Sequence, residues 1–114
     1  MYEYRCIVRR IIDGDTFECD IDLGFSTVLQ KEKVRLLGID TPELRAKDLV
    51  EKQRAQDAKT FVKNLLPPGT EVIIRTHKDS TGKYGRYLAN VFLRDEANNE
   101  VNLAKLLREN GFQK

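Results

Sequence analysis

The chain has 114 residues, of which 40% are hydrophobic and 33% charged, and its formal net charge at pH 7 is +2. A chain of this length has room for one hydrophobic core, so we expect a single domain over residues 1–114. The small net charge does not by itself indicate nucleic-acid binding, since such proteins often carry a larger basic excess. No apolar run approaches the roughly 18 residues of a membrane-spanning helix, which argues against a membrane protein.

The N-terminal residues and the cysteines bear on the cellular compartment. The chain does not start with a basic leader, an apolar stretch and a small-residue cleavage site, so we expect a cytoplasmic protein, with secretion of a processed form as the alternative. Cys6 and Cys19 lack metal-ligand spacing, and the single histidine, His77, cannot complete a zinc site. Two small buried thiols are the favoured interpretation, and a disulfide is the alternative.

The first third of the chain has the pattern of three strands. Residues 5–12 are rich in β-branched side chains and lead into Asp13-Gly14, a strong tight-turn signal, so a hairpin is predicted. Between Phe17 and Leu23 apolar and acidic residues alternate, which is typical of a strand with one buried and one solvent-facing side. Gly24 interrupts this pattern, and residues 26–39 form a third predicted strand with an apolar end.

The remaining two thirds predict two helices and two further strands. Residues 48–66 carry apolar or small side chains near helical spacing, and Pro67-Pro68-Gly69 ends that helix. Its polar residues, among them Glu51, Lys52 and Arg54, are interpreted as a solvent-facing side. The later elements are strands at 70–76 and 87–93 and a helix at 101–110, capped by Gly111.

This order of elements predicts the fold class. Five short strands, with one helix after the third and one C-terminal helix, are compatible with a five-stranded OB-type Greek-key barrel. The expected class is therefore α+β, mainly β with two helices. No internal repeat, linker or low-complexity tract interrupts it.

Three short segments, residues 12–16, 34–43 and 83–86, contain the residue types that phosphodiester cleavage requires. Asp15 and Asp40 can hold a hard cation. Pro42 restricts the preceding residue to extended geometry, which makes the Thr41 carbonyl a third candidate ligand. Oxygen ligands of this kind suit Ca²⁺ or Mg²⁺, and irregular, flexible geometry favours Ca²⁺.

The same segments contain a candidate base and candidate phosphate-binding groups. Hydrolysis places extra negative charge on the phosphate oxygens, and the bidentate donors of Arg35 and Arg86 match those oxygens better than lysines do. Glu43 can take a proton from water. Taken singly, each residue has an ordinary alternative, such as a turn-forming aspartate, a helix-capping glutamate or a solvent-facing arginine. Their combination favours the catalytic interpretation.

The motifs Asp13-Gly14-Asp15-Thr16, Asp40-Thr41-Pro42-Glu43 and Lys83-Tyr84-Gly85-Arg86 resemble those of the staphylococcal nuclease (thermonuclease) family. They occur in the same order, with a helix-like stretch between the second and third. The resemblance implies an OB-type barrel and a Ca²⁺-dependent endonuclease acting on DNA and RNA, preferably where these are single-stranded or frayed. It implies products with 3′-phosphate and 5′-hydroxyl ends.

The resemblance also implies a role for eight residues. These roles are Ca²⁺ ligation by Asp15, Asp40 and the Thr41 carbonyl, general base catalysis by Glu43, phosphate binding by Arg35 and Arg86, and contacts to a terminal phosphate of the nucleotide by Lys83 and Tyr84.

Two departures from the family pattern lie at the C-terminal end. The third helix of the staphylococcal enzyme has no counterpart in the 114 residues. We therefore expect other contacts to stabilise the fold, with a homodimer as one way to cover that side of the barrel. No tyrosine-containing segment follows Gly111, so weaker base stacking is expected. Two alternative functions remain open: a barrel that binds single-stranded nucleic acid without cutting it, and a structural or protein-interacting barrel.

Overall fold

The computed structural model describes residues 2–76 and 85–114. Within these residues the elements are β1 (Tyr2–Asp13), β2 (Thr16–Gly24), β3 (Thr27–Leu36), α1 (Leu49–Leu65), β4 (Glu71–Thr76), β5 (Arg86–Arg94), β6 (Glu100–Asn102) and α2 (Leu103–Glu109). Neither helix has the length and apolar character needed to cross a membrane.

The first five strands close into a barrel. Neighbouring strands follow the order β3-β2-β1-β4-β5-β6, and β3 also pairs with β5. The β3–β5 pairing is parallel and the other pairings are antiparallel, so the closed sheet is mixed. The prediction of an α+β fold with a five-stranded OB-type barrel is confirmed, with α1 after β3 and α2 near the C-terminal end.

The prediction for the second helix was wrong at its start. Residues 100–102 pair with β5 as the short strand β6, and α2 begins at Leu103. The side chain of Asn102 accepts a hydrogen bond from the Lys105 N–H at 3.1 Å, which makes Asn102 the N-cap. A capping side chain satisfies an N–H group that has no partner within the helix, and it therefore fixes where the helix begins.

The barrel interior and the inner side of α1 form the hydrophobic core. Cys6 and Cys19 are both buried and free, as the favoured interpretation predicted. The buried side chains of α1 are small or β-branched, namely Ala55, Ala58 and Val62. These short side chains allow the helix to approach the β1–β2 turn closely, and that approach places the turn beside the loop that follows β3.

Gly14→Ala is expected to destabilise the protein. A Cβ atom at position 14 would lie 2.9 Å from the Cβ of Ala58 and 3.0 Å from both Cγ2 and Oγ1 of Thr41. Either α1 or the Thr41 loop would have to shift, and overpacking of this kind costs roughly 1–3 kcal/mol. Denaturant unfolding of the wild-type and variant proteins measures the difference. Equal free energies of unfolding would show that the turn accommodates the methyl group without cost.

Candidate active site

A cavity of about 780 Å³ opens where the β1–β2 turn, the loop after β3 and the start of β5 meet. Six of the eight residues singled out in the sequence line it: Asp15, Arg35, Asp40, Thr41, Glu43 and Arg86. Lys83 and Tyr84 lie outside the described residues. The structure therefore brings three distant segments of the chain to one cavity, and the catalytic roles of their residues stay predictions.

Strand pairing places these segments together. Thr16 lies opposite Arg35 in the β2–β3 ladder, and the N–H of Leu36 donates to the carbonyl of Asp15 at 2.9 Å. Arg86 begins β5 and lies opposite Lys33 in the parallel β3–β5 ladder. The closure of the barrel therefore places both arginines, from different strands, beside the same cavity.

One guanidinium nitrogen of Arg35 contacts two carboxylates. Nη2 lies 3.4 Å from Oδ2 of Asp15 and also donates to Oδ1 of Asp40. The Asp15 side chain is 10% exposed, whereas that of Asp40 is 67% exposed, so the pair joins a buried acid to an accessible one. Two negative charges directed at one point make that point favourable for a positive charge.

Hydrogen bonds hold the buried Asp15 carboxylate in place. Its Oδ2 accepts from the Thr41 backbone N–H at 3.2 Å, and its Oδ1 accepts from the Thr16 hydroxyl at 3.1 Å. Burial by itself raises the pKa of Asp15, but the hydrogen bonds from Asp13 and Thr41 and the charge of Arg35 outweigh it and lower the pKa below its usual value. Asp15 is therefore ionised at neutral pH, as a metal ligand must be.

Asp13 shows the opposite shift. Burial, and next its hydrogen bond with Asp15, raise the pKa of Asp13 to about 6. The Oδ1 atom of Asp13 also accepts a hydrogen bond from the Asp15 backbone N–H at 3.1 Å, which stabilises the turn. The two acids of the Asp-Gly-Asp turn thus differ: Asp15 carries the stabilised negative charge, and Asp13 supports its position.

The oxygen donors fit a hard cation. Among residues 2–76 and 85–114 no three His, Cys, Asp or Glu side chains are grouped closely enough to hold a metal ion. The ligand set predicted from the sequence contains only two such side chains, the carboxylates of Asp15 and Asp40, together with the backbone carbonyl of Thr41. Sites of Ca²⁺ and Mg²⁺ commonly combine a few protein oxygens with water, and the two carboxylates already meet at one positively charged atom.

Glu43 lies exposed at the cavity and is paired with a residue that the sequence did not point to. The Nζ atom of Lys114 lies 3.3 Å from Oε1 of Glu43 and 3.6 Å from Oε1 of Glu51 on α1. The pairing with Glu43 is the largest cause that raises the pKa of Lys114. The ammonium group of Lys114, distant in sequence, thus lies beside the predicted general base Glu43.

The interpretation of Glu51 and Arg54 as part of a solvent-facing side did not include their contacts with residues 111–114. Glu51 pairs with Lys114. Arg54 donates to the carbonyl oxygens of Gly111 at 2.9 Å and Gln113 at 3.1 Å. Helical periodicity separates the polar from the apolar side of a helix, but it contains no information on which distant backbone packs beside the polar side.

The family model described as staphylococcal nuclease homologue matches residues 33–113 of the chain. The chain belongs to this family. The match begins at residue 33, so it includes Arg35, Asp40 and Glu43 but not Asp15. Strand pairing and the Thr41 hydrogen bond add Asp15 to the site of this staphylococcal nuclease homologue.

Three relatives are similar to most of this chain, but the chain matches only part of each relative's length. A thermonuclease of Staphylococcus intermedius is 40% identical over 99 residues, which cover 87% of this chain and 54% of the relative. A thermonuclease of Staphylococcus hyicus is 35% identical over 93 residues, or 82% of this chain and 51% of the relative. Endonuclease YhcR of Bacillus subtilis (strain 168) is 31% identical over 108 residues, or 90% of this chain and 8% of the relative. The chain spans about half the length of the two thermonucleases.

Proposed function

We propose that this staphylococcal nuclease homologue is a Ca²⁺-dependent endonuclease that hydrolyses DNA and RNA and leaves 3′-phosphate and 5′-hydroxyl ends. The convergence of two carboxylates, two arginines and an exposed glutamate on one cavity carries the proposal. The relatives named thermonuclease and endonuclease support the same class of reaction. Single-stranded or frayed nucleic acid is the proposed substrate.

Charge stabilisation is the first part of the mechanism. Asp15, Asp40 and the Thr41 carbonyl would hold the cation, which supplies positive charge beside the phosphate. Arg35 and Arg86 line the same cavity, and their planar guanidinium groups would bind the phosphate oxygens through paired donors. For Arg35 this requires its Nη2 atom to exchange Asp15 and Asp40 for the phosphate. Donors directed at charge that develops in the transition state lower the barrier more than donors that bind the ground state.

Proton transfer is the second part. Glu43 accepts a proton from a water molecule as the water oxygen forms a bond to phosphorus. The bond between phosphorus and the 5′-oxygen then breaks, and that oxygen takes a proton from solvent water and leaves as a 5′-hydroxyl, while Glu43 returns its proton to solvent. The phosphate stays on the 3′-oxygen. Glu43 is suited to this role because its side chain is 68% exposed and lies at the cavity that also contains the candidate phosphate clamps.

Digestion of single-stranded DNA and RNA in Ca²⁺, in Mg²⁺ and in chelator tests the proposal, with double-stranded DNA for comparison. We expect cutting in Ca²⁺, none in chelator, and 3′-phosphate ends on the products. Salt-sensitive binding without cutting would instead support a module that binds single-stranded nucleic acid. If the protein neither cuts nor binds nucleic acid, both functions are wrong.

Asp40→Ala is expected to raise the Ca²⁺ concentration required for half-maximal activity by at least about tenfold. The variant removes one of the two carboxylates that would face the cation, while Arg35 keeps its contact with Asp15. Calcium titrations of activity and calorimetric titrations of Ca²⁺ binding measure the change. Asp57→Ala is the control, because Asp57 is an exposed residue of α1 that does not line the cavity. An unchanged Ca²⁺ requirement would remove Asp40 from the ligand set.

A further inference from the structure

The segment of residues 111–114, which follows α2, lies against the loop that carries Asp40 and Glu43. The N–H of Lys114 donates to the Asp40 carbonyl at 2.6 Å, and the N–H of Asp40 donates to Oε1 of Gln113 at 3.4 Å. Both backbone polar groups of Asp40 are therefore bonded to this segment. A backbone held through its N–H and its carbonyl has little freedom to rotate, so the Asp40 carboxylate projects from a restrained position.

The same segment is fastened to α1. Arg54 donates to the carbonyls of Gly111 and Gln113 at 2.9 and 3.1 Å. The ring of Phe112 packs against that of Phe61 with the centroids 5.3 Å apart. Aromatic pairs at this separation are attractive beyond the area that they bury. The 111–114 segment thus connects α1 to a loop that has no regular secondary structure of its own.

The side chain of Lys114 extends this connection to Glu43. One ammonium group lies between Glu43 at 3.3 Å and Glu51 at 3.6 Å, and Glu51 belongs to α1. The Lys114 side chain is 48% exposed, so these ion pairs contribute little to the free energy of unfolding. Their effect is on geometry, because they hold the Glu43 carboxylate of the loop beside the Glu51 carboxylate of α1.

We propose that Lys114 is a positioning residue for Glu43, and that the 111–114 segment holds it in place through its bonds to Asp40 and Arg54. The inference rests on the proposed function of Glu43 as general base. A catalytic group displaced by about 1 Å can lose up to roughly 10²-fold in rate, so a contact of modest energy is able to control turnover.

Three variants test the inference. Lys114→Met keeps the apolar stem and removes the ammonium group, Lys114→Arg keeps a positive charge, and Lys63→Met removes one exposed charge from α1 away from the cavity. We expect Lys114→Met to lower kcat about five- to tenfold with KM within about twofold of wild type. Lys114→Arg should restore most of the rate, and Lys63→Met should match wild type.

Limited trypsin digestion provides a readout that does not depend on nuclease activity. Arg45 and Lys47 are exposed in the loop after Glu43, and release of this loop is expected to speed cleavage at both residues in Lys114→Met. Lys114→Arg and Lys63→Met should be cut at the wild-type rate. Thermal unfolding of all three variants should stay close to wild type, which separates positioning from loss of folding.

Several outcomes would overturn the inference. One is a wild-type kcat in Lys114→Met, and another is an equal loss in Lys114→Arg or Lys63→Met. A rise in KM with unchanged kcat and unchanged tryptic cleavage would assign Lys114 to direct phosphate binding instead. If the wild-type protein cuts no nucleic acid, the proposed function fails, and tryptic cleavage alone then decides whether Lys114 restrains the loop.

Discussion

Glu43→Gln is expected to lower kcat for phosphodiester cleavage by about 10²- to 10⁴-fold while Ca²⁺ affinity stays close to wild type. The amide keeps the size and one oxygen of the carboxylate, but it cannot accept a proton from water. Glu43 is separate from the predicted ligand set of Asp15, Asp40 and the Thr41 carbonyl, so the cation should still bind. Steady-state cleavage of single-stranded DNA at saturating Ca²⁺ and calorimetric titration of Ca²⁺ measure the two effects.

Glu96→Gln is the matched control for this substitution. Glu96 is exposed in the turn between β5 and β6 and does not line the cavity. The same chemical change at Glu96 should leave kcat at its wild-type value. The ion pair of Glu43 with Lys114 is exposed, so its loss should leave the free energy of unfolding close to that of the wild type. Full activity in Glu43→Gln would mean that another group takes the proton.

Arg35→Lys is expected to lower kcat/KM by about 10²-fold or more. The substitution keeps a positive charge, but a lysine ammonium cannot present the planar pair of donors that matches two phosphate oxygens. The retained charge can still pair with Asp15 and Asp40, so a large loss of stability is not expected. Cleavage kinetics and thermal unfolding of the same preparation separate the catalytic effect from the structural one.

Arg10→Lys serves as the comparison for Arg35→Lys. Arg10 pairs with Glu18 at 3.3 Å on the outside of the barrel and does not line the cavity, so its replacement should leave kcat/KM unchanged. A wild-type kcat/KM in Arg35→Lys would show that charge alone suffices at position 35. The assignment of Arg35 as a bidentate phosphate clamp would then be wrong.

Local patterns in the sequence were sufficient to predict most of the elements. The alternation in β2 predicted the burial of Phe17, Cys19 and Ile21, although Leu23, near the β2–β3 hairpin, is 36% exposed. Helical spacing before Pro67 predicted α1, which the side chain of Asp48 caps. These features depend on residues close in sequence, where steric preferences and capping bonds act directly. The start of α2 was missed because residues 100–102 pair with β5, and local apolar spacing does not show that long-range contact.

The candidate catalytic groups were identified from sequence alone, and a resemblance in three motifs suggested their roles. The tertiary structure brings these groups together: the parallel β3–β5 pairing closes the barrel, and Arg35 then lies between Asp15 and Asp40. It also decided that Lys114, far along the chain, lies beside Glu43. Strand register and barrel closure are set by contacts between residues far apart in sequence. Periodicity and propensity report only on neighbours in sequence.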